Sequence, residues 1–484
     1  MYRSRLGKNL DKHTLEYVSS ISDDAEIAIY DIVGSQAHTI MLYENKILSK
    51  NEAKKILQAL EKLKNQDLDS KSGAEDIHEL IESLVIKKTG IEVGGKMHTA
   101  RSRNDQVALD LRMKIRDDIN VICDCILDLV ETLIKLAEKH TNTAMPLYTH
   151  LQQAQIGTLS HYLLYHADVL LRDFERLYSS FERVNQSPLG AGPIGGTSLP
   201  INRNTTAKML GFSQIIENTL DATSSRDVVA EYVSAVSILM TNLSRIAEDL
   251  VIWSTSEFSF VELSDQFSSP SSVMPQKKNP DILELTRGKT ARVIGNLMVV
   301  LSSLKGLASG YGRDLQEIKP AVFSSSKIAI SALVILNSMF ATLKINKDKI
   351  KQATESGYLT ALDIAEALVK EGMPFRTAHK IVGSLVQAAH QQNKLLSELT
   401  EDEIKSAQKE FDAKKLYKII STIDAEYSLE ARSSLGSAGI KQQEKMIAAR
   451  KTKIRKYRTD MKKRASLISS TITLLSQKIR NLTK

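Results

Sequence analysis

The chain has 484 residues, enough for about two to four domains with a sizeable core, and its two cysteines, Cys123 and Cys125, exclude a disulfide scaffold. Glycine and proline number only 22 and 9 and aromatics make up 5%, which argues against a many-turned β architecture and favours helix. The net charge of +8 is uneven: Lys441 to Lys484 carry 14 Lys/Arg against Glu444 and Asp460, so the rest is mildly acidic; the basic stretch reads as a solvated helix face, and a nucleic-acid partner is not expected.

In chain order, Met1 to Leu10 lack the apolar core of a signal peptide, and no apolar run reaches the roughly 20 residues of a membrane span, so a soluble, cytoplasmic protein with no membrane partner is expected. Glu52 to Lys64 and Ile77 to Lys88 read as short helices, ending at the Gly94-Gly95 break. A long stripe follows at Val107, Leu111, Ile115, Ile119, Ile122, Ile126, Leu129, Leu133 and Leu136. Steps of three and four predict one helix roughly 45 Å long, buried along one side in a bundle. Further stripes run from Val229 to Leu250 and from Leu283 to Leu304, with a Gly-rich loop at Pro188 to Pro200 ahead of the first and a polar loop at Ser264 to Pro280 between the two. After Lys351 shorter helical patterns return, broken at Gly357, Gly372-Met373-Pro374 and Ser433 to Gly439. The expectation is an all-α protein divided into an N-terminal region 1–103, a central long-helix bundle 104–352 with a functional loop at 264–280, and a C-terminal region 353–484 ending in the basic tail.

Several candidate sites are set aside on spacing. Gly190 to Gly196 lacks the Lys-Ser/Thr ending of a phosphate-binding loop, and neither His161 with His166 nor Cys123 with Cys125 has metal-ligand spacing on a helix. The polar loop is more informative. It runs Ser268-Ser269-Pro270-Ser271-Ser272-Val273-Met274-Pro275-Gln276-Lys277-Lys278-Asn279-Pro280, with Asn279 suited to an N-cap and Pro280 to the first helical position. Lys277 and Lys278 beside a helix N-terminus would attract a carboxylate.

This loop resembles the signature of the fumarase/aspartase superfamily, Gly-Ser-Ser-x-Met-Pro-x-Lys-x-Asn-Pro, with Pro270 in place of the leading glycine. Together with His98 to Gln106, Thr149-His150-Leu151-Gln152 and Gly310 to Glu317, the pattern is similar to the argininosuccinate lyase family within it. Asp31 to His38 and Pro188 to Gly192 agree as well, so the resemblance spans nearly the whole chain.

The resemblance implies three helical domains with a long central bundle, a homotetramer whose active sites are shared between subunits, and no metal or organic cofactor. It implies reversible elimination of fumarate from argininosuccinate, releasing arginine, the last step of arginine biosynthesis. By the same resemblance Ser271 is the base, Lys277 and Asn279 bind the carboxylate that gains charge, and His150, oriented by Glu284, protonates the leaving nitrogen. Ser20, Arg103, Asn104, Thr149, Tyr311, Gln316 and Lys319 are the implied substrate contacts. Adenylosuccinate lyase and fumarase share the Ser271 loop, but the Arg101 to Gln106 and Tyr311 to Glu317 blocks argue against both. A silent structural relative, like certain lens crystallins, is disfavoured because Ser271, His150, Lys277 and Glu284 are all present.

Overall fold

The computed structural model describes residues 10–66, 68 and 73–484; the expectation for residues 1–9 lies outside them. Five long helices make the centre: Arg103–Glu138, Leu159–Val184, Asp227–Trp253, Asp281–Leu304 and Ile318–Thr342. The first packs against the second and fifth, and the third against the second, fourth and fifth. The all-α expectation holds, because the apolar stripes that predict these helices are the sides that meet: Ile115, Ile119, Ile122 and Ile126 on the first and Val229, Val233, Val236 and Met240 on the third are buried. The first helix runs for 36 residues and starts in a capping box, in which Ser102 and Asp105 satisfy each other's backbone N–H groups.

Shorter helices cover one end. Ala28–Glu44 approaches the first long helix closely at Gly34, where a Cβ would lie 2.7 Å from Leu109 Cδ2. Lys50–Leu63 and Ile77–Thr89 form close to where the sequence predicts them, each opened by a side-chain cap, Ser49 and Asp76. The fifth long helix is apolar and long enough to cross a bilayer, yet it packs against the first, third and fourth as a core helix. Among the described residues the strands form only two-stranded ladders, the longest being the antiparallel hairpin Ala144–Thr149 with Gln152–Thr158. A second apolar cluster, around Ile364, Leu368, Ile381, Leu385, Leu416 and Ile420, builds the first part of the C-terminal region apart from the main core.

The basic tail is the expected solvated face on one side only: Lys441, Lys445, Arg455, Lys456, Lys462 and Lys463 are exposed. Ile440–Thr483 is one helix of 44 residues whose Ile447, Ile454, Met461, Leu475 and Ile479 join the main core. Other cations turn towards the acidic body: Arg450 grips Asp168 with two hydrogen bonds of 2.8 and 2.7 Å, Lys453 lies 2.6 Å from Glu175, and Arg458 reaches Asp124 at 3.0 Å and Glu131 at 3.2 Å. Arg464 stacks over Tyr178 and Phe181 at 4.2 and 4.0 Å. Local composition counts these charges but not the residues, hundreds of positions away, that face them.

Candidate functional site

Six of the expected binding residues converge. Ser20, Arg103, Asn104, Tyr311, Gln316 and Lys319 line one cavity of about 190 Å³ between the N-terminal helices, the start of the first long helix and the start of the fifth. Lys319, 3% exposed, donates from Nζ to Ser20 Oγ at 3.0 Å and also pairs with Asp24; Ser20 donates in turn to Asp24 Oδ2 at 2.8 Å. Buried charges of opposite sign, held by hydrogen bonds, thus set the Ser20 hydroxyl at the cavity wall. Gln316 Nε2 donates to the Val18 carbonyl at 3.2 Å, tying the turn just before the fifth helix to the segment before Ser20.

The opposite wall is the N-terminus of the first long helix. Asp105 accepts the Ser102 N–H at 2.9 Å through one oxygen and the Gly190 and Gly192 N–H groups at 2.9 and 2.8 Å through the other. Asn104 Nδ2 donates to the Pro193 carbonyl at 2.9 Å. The Gly-rich loop therefore spends its N–H groups on Asp105, and Gly190 and Gly192 sit at φ +85° and +64°, where only glycine is comfortable. Burial pushes the Asp105 carboxyl up to about 6 against the pull of these donors. Arg103 lies 3.2 Å from Asp76 through Nη1 and 3.9 Å from Glu75 and Glu79. Arg101 is buried and donates to Ser35 Oγ at 2.8 Å, whereas Arg313 pairs with Glu75 at 2.7 Å.

The remaining expected residues lie elsewhere on the chain. Ser269–Pro270 pairs with Lys278–Asn279 in a short antiparallel ladder that carries the exposed loop between them. In that loop Ser271 Oγ accepts the Val273 N–H at 3.3 Å and the Met274 N–H at 3.0 Å. Two backbone donors aimed at one hydroxyl oxygen would stabilise negative charge on it. Lys277 is exposed, and Lys278 is engaged by Glu262 and Asp265 at 3.1 and 2.8 Å. The helix begins one residue later than expected, at Asp281, with Pro280 in the cap position, because Asn279 is drawn into the ladder with Ser269. Glu284, in the first turn, is exposed and 4.0 Å from Arg287.

Thr149 and His150 stand at the tip of the hairpin Ala144–Thr149/Gln152–Thr158. Thr149 pairs with Gln152, so His150 and Leu151 form a two-residue turn, with φ +55° and +58°. Both values are those of a type I′ turn, which favours Asn-Gly. The turn holds two side chains that resist this conformation, and it lifts the His150 ring into solvent. The Ser20 cavity is not lined by Thr149, His150, Ser271, Lys277, Asn279 or Glu284. Within one chain, therefore, only part of the expected set lines this cavity.

Sequence reasoning missed Asp24, Asp76 and His78. Asp76 and His78 line the cavity, and Asp24 anchors it. Asp76 carried a usable signal as the N-cap of Ile77–Thr89. His78 carried none, since a histidine in a helical pattern does not announce its partners. Burial disfavours charge on its ring, but the hydrogen bond to Asp110 and the carboxylates of Asp76 and Asp31 outweigh that and hold its pKa well above the ordinary histidine value.

The chain matches the lyase family profile over residues 4–295, and the profile for the argininosuccinate lyase C-terminal region over residues 358–426. The fold agrees with solved structures: an EDDS lyase in complex with formate superposes with a TM-score of 0.87 at 27% identity, covering 97% of this chain and 94% of that one. The class II fumarase from Schistosoma mansoni, at 14% identity and a TM-score of 0.73 over 84% of this chain and 93% of that one, shares the fold. These findings define the chain as a lyase of the all-helical, fumarase-like class. Among curated relatives, an argininosuccinate lyase from Nitrosopumilus maritimus is 64% identical over 99% of both chains, and one from Methanocaldococcus jannaschii is 38% identical over 98% of both. The chain belongs to the argininosuccinate lyase family.

Proposed function

We propose that the protein catalyses the reversible elimination of argininosuccinate to arginine and fumarate. The observation that carries this reading is the convergence of Ser20, Arg103, Asn104, Tyr311, Gln316 and Lys319, a mixed set of cations and hydrogen-bonding groups, on one cavity suited to a charged amino-acid derivative. In this reading Ser271, as an alkoxide, removes a proton from the carbon next to a carboxylate. The Val273 and Met274 N–H groups support the alkoxide, and Lys277 and Asn279 receive the carboxylate on which the carbanion's charge accumulates. The electron pair then forms the carbon–carbon double bond as the carbon–nitrogen bond breaks. His150 supplies the proton to the departing guanidinium nitrogen, Glu284 steadies the ring, and Thr149 holds a substrate carboxylate.

The Ser271 loop and the His150 turn cannot act on an occupant of the Ser20 cavity unless they are brought to it, and the reading therefore includes a homotetramer in which each site draws on different subunits. Two features support it. The fourth long helix exposes Leu285, Ile294, Met298, Val299 and Leu301, and the fifth exposes Val334 and Ile335, an apolar surface that a lone soluble chain would not keep open. The Ser271 loop lies at the start of that same helix, so joining these faces would bring loops and cavities of different copies together. The proposed setting is cytoplasmic, with a small-molecule substrate.

The direct test is the ultraviolet absorbance rise of fumarate when purified protein meets argininosuccinate, with adenylosuccinate and malate in parallel. Fumarate from argininosuccinate alone is expected, with Ser271→Ala abolishing turnover while substrate still binds. Activity on another substrate only, or full turnover by Ser271→Ala, would overturn the assignment.

A further inference from the structure

Beneath the Ser20 cavity lies a set of buried charges for which the elimination has no direct use. His78 is 5% exposed, at the second position of Ile77–Thr89. Its Nε2–H donates to Asp110 Oδ2 at 2.9 Å and lies 4.0 Å from Asp31 Oδ1, while Nδ1 is 3.7 Å from Asp76 Oδ1. The other Asp76 oxygen is 3.2 Å from Arg103 Nη1. A continuous chain therefore runs from Asp110, on the buried side of the first long helix, through His78 and Asp76 to the Arg103 fork at the cavity wall. Asp31, fixed by Gln106 Nε2 at 2.8 Å, braces the ring from the helix Ala28–Glu44.

This arrangement is a poor way to hold helices together. Asp31 Oδ2 and Asp110 Oδ1 are buried without a hydrogen-bond partner, and a buried ion cluster is commonly no more stabilising than apolar side chains of similar volume. What it does is orient. Carboxylates on two different helices fix the ring, and the ring shares the Asp76 charge with Arg103. With His78 present, Arg103 stands at 3.2 Å from Asp76 and 3.9 Å from Glu75 and Glu79, and among the described residues no carboxylate holds it in a two-point grip. Its planar donors remain available to an incoming carboxylate. With the ring displaced, Arg103 would be the near cation left to Asp76 among the described residues, and Asp76 would draw the guanidinium off the wall.

We propose that Asp110 is a positioning residue for the reaction, acting through His78 and Asp76 to hold the Arg103 guanidinium in the orientation that receives a substrate carboxylate. The proposal rests on the assignment of Arg103 as a substrate contact made above. Binding lost through a misdirected fork raises KM with little change in kcat, whereas damage to the scaffold lowers kcat by reducing the active fraction and leaves KM alone.

The test is a double-mutant cycle read as KM and kcat for argininosuccinate, with the oligomeric state of each variant checked. Asp110→Asn, nearly isosteric, is expected to raise KM about 10- to 100-fold, the scale of losing one hydrogen bond between charged groups. Arg103→Lys alone should also raise KM, and adding Asp110→Asn to it should change KM less than about threefold, since the fork is already gone. Should Asp110→Asn fail to assemble, His78→Gln tests the next link of the chain with the same expected coupling. A kcat loss at unchanged KM, or KM effects that multiply in the double variant, would overturn the proposal. Wild-type protein that makes no fumarate from argininosuccinate would overturn the assigned reaction as well. An Arg103→Lys variant with wild-type KM would remove the contact on which the chain depends.

Discussion

Replacing His150 with asparagine should make the protein slightly more stable and nearly inactive. His150 and Leu151 both occupy left-handed backbone, at φ +55° and +58°, and a side chain with a Cβ pays roughly 1–2 kcal/mol per residue there. Asparagine is the favoured first residue of a type I′ turn, so His150→Asn should relieve about 0.5–1 kcal/mol of that strain. Nothing offsets the gain, because the ring is exposed and makes no hydrogen bond among the described residues. Loss of a general acid, by contrast, slows turnover about 100- to 10,000-fold. Urea unfolding at fixed protomer concentration, followed through the single tryptophan, Trp253, measures the first effect, and fumarate absorbance the second. A midpoint that falls together with activity would mean that the ring holds the turn or an interface. Activity within about tenfold of wild type would remove His150 as the proton donor.

Two further outcomes follow from buried and divided groups. His38 is fully buried, donates from Nε2 to the Thr99 carbonyl at 2.8 Å, and is pushed down to about 3 by burial and the Arg101 charge. Its folded pKa lies below the unfolded value of about 6.5, so its stabilising contribution is complete above that pH and lost as pH falls toward 3. Between pH 7 and 5 wild type should lose about 2 kcal/mol more than His38→Gln in urea unfolding, and parallel curves would contradict the burial argument. Mixing inactive Ser271→Ala with inactive His150→Asn subunits, after mild dissociation and reassembly, should restore about a quarter of the sites. No recovery from reassembled oligomers would mean that both groups serve a site from one chain.

The long helices were readable because one physical rule, a repeated apolar side, governs both the pattern and the packing: the stripe from Val107 to Leu133 is buried throughout. Short devices were less readable. Asn279 has the chemistry of an N-cap but is taken by a two-residue ladder with Ser269, a pairing across the loop that local propensity cannot express. His150-Leu151 contains neither glycine nor asparagine, so its turn leaves no local signal, and only the motif drew attention to it. The cavity residues Ser20, Arg103, Asn104, Tyr311, Gln316 and Lys319 were identified by resemblance. His78 and Asp110 were not, since their meaning arises from a contact between residues 32 positions apart on separate helices.

The Ile440–Thr483 helix has a consequence for biogenesis. Its far end lies over the N-terminal helices: Lys54 Nζ donates to the Lys484 backbone oxygen at 2.9 Å, across 430 positions of chain, and Lys478 pairs with Glu44. During synthesis the helices Ala28–Glu44 and Lys50–Leu63 leave the ribosome long before Leu475 and Ile479 arrive to cover them. For most of translation they must wait with an apolar flank open to water. That interval is when the nascent chain is most exposed to aggregation and to capture by chaperones.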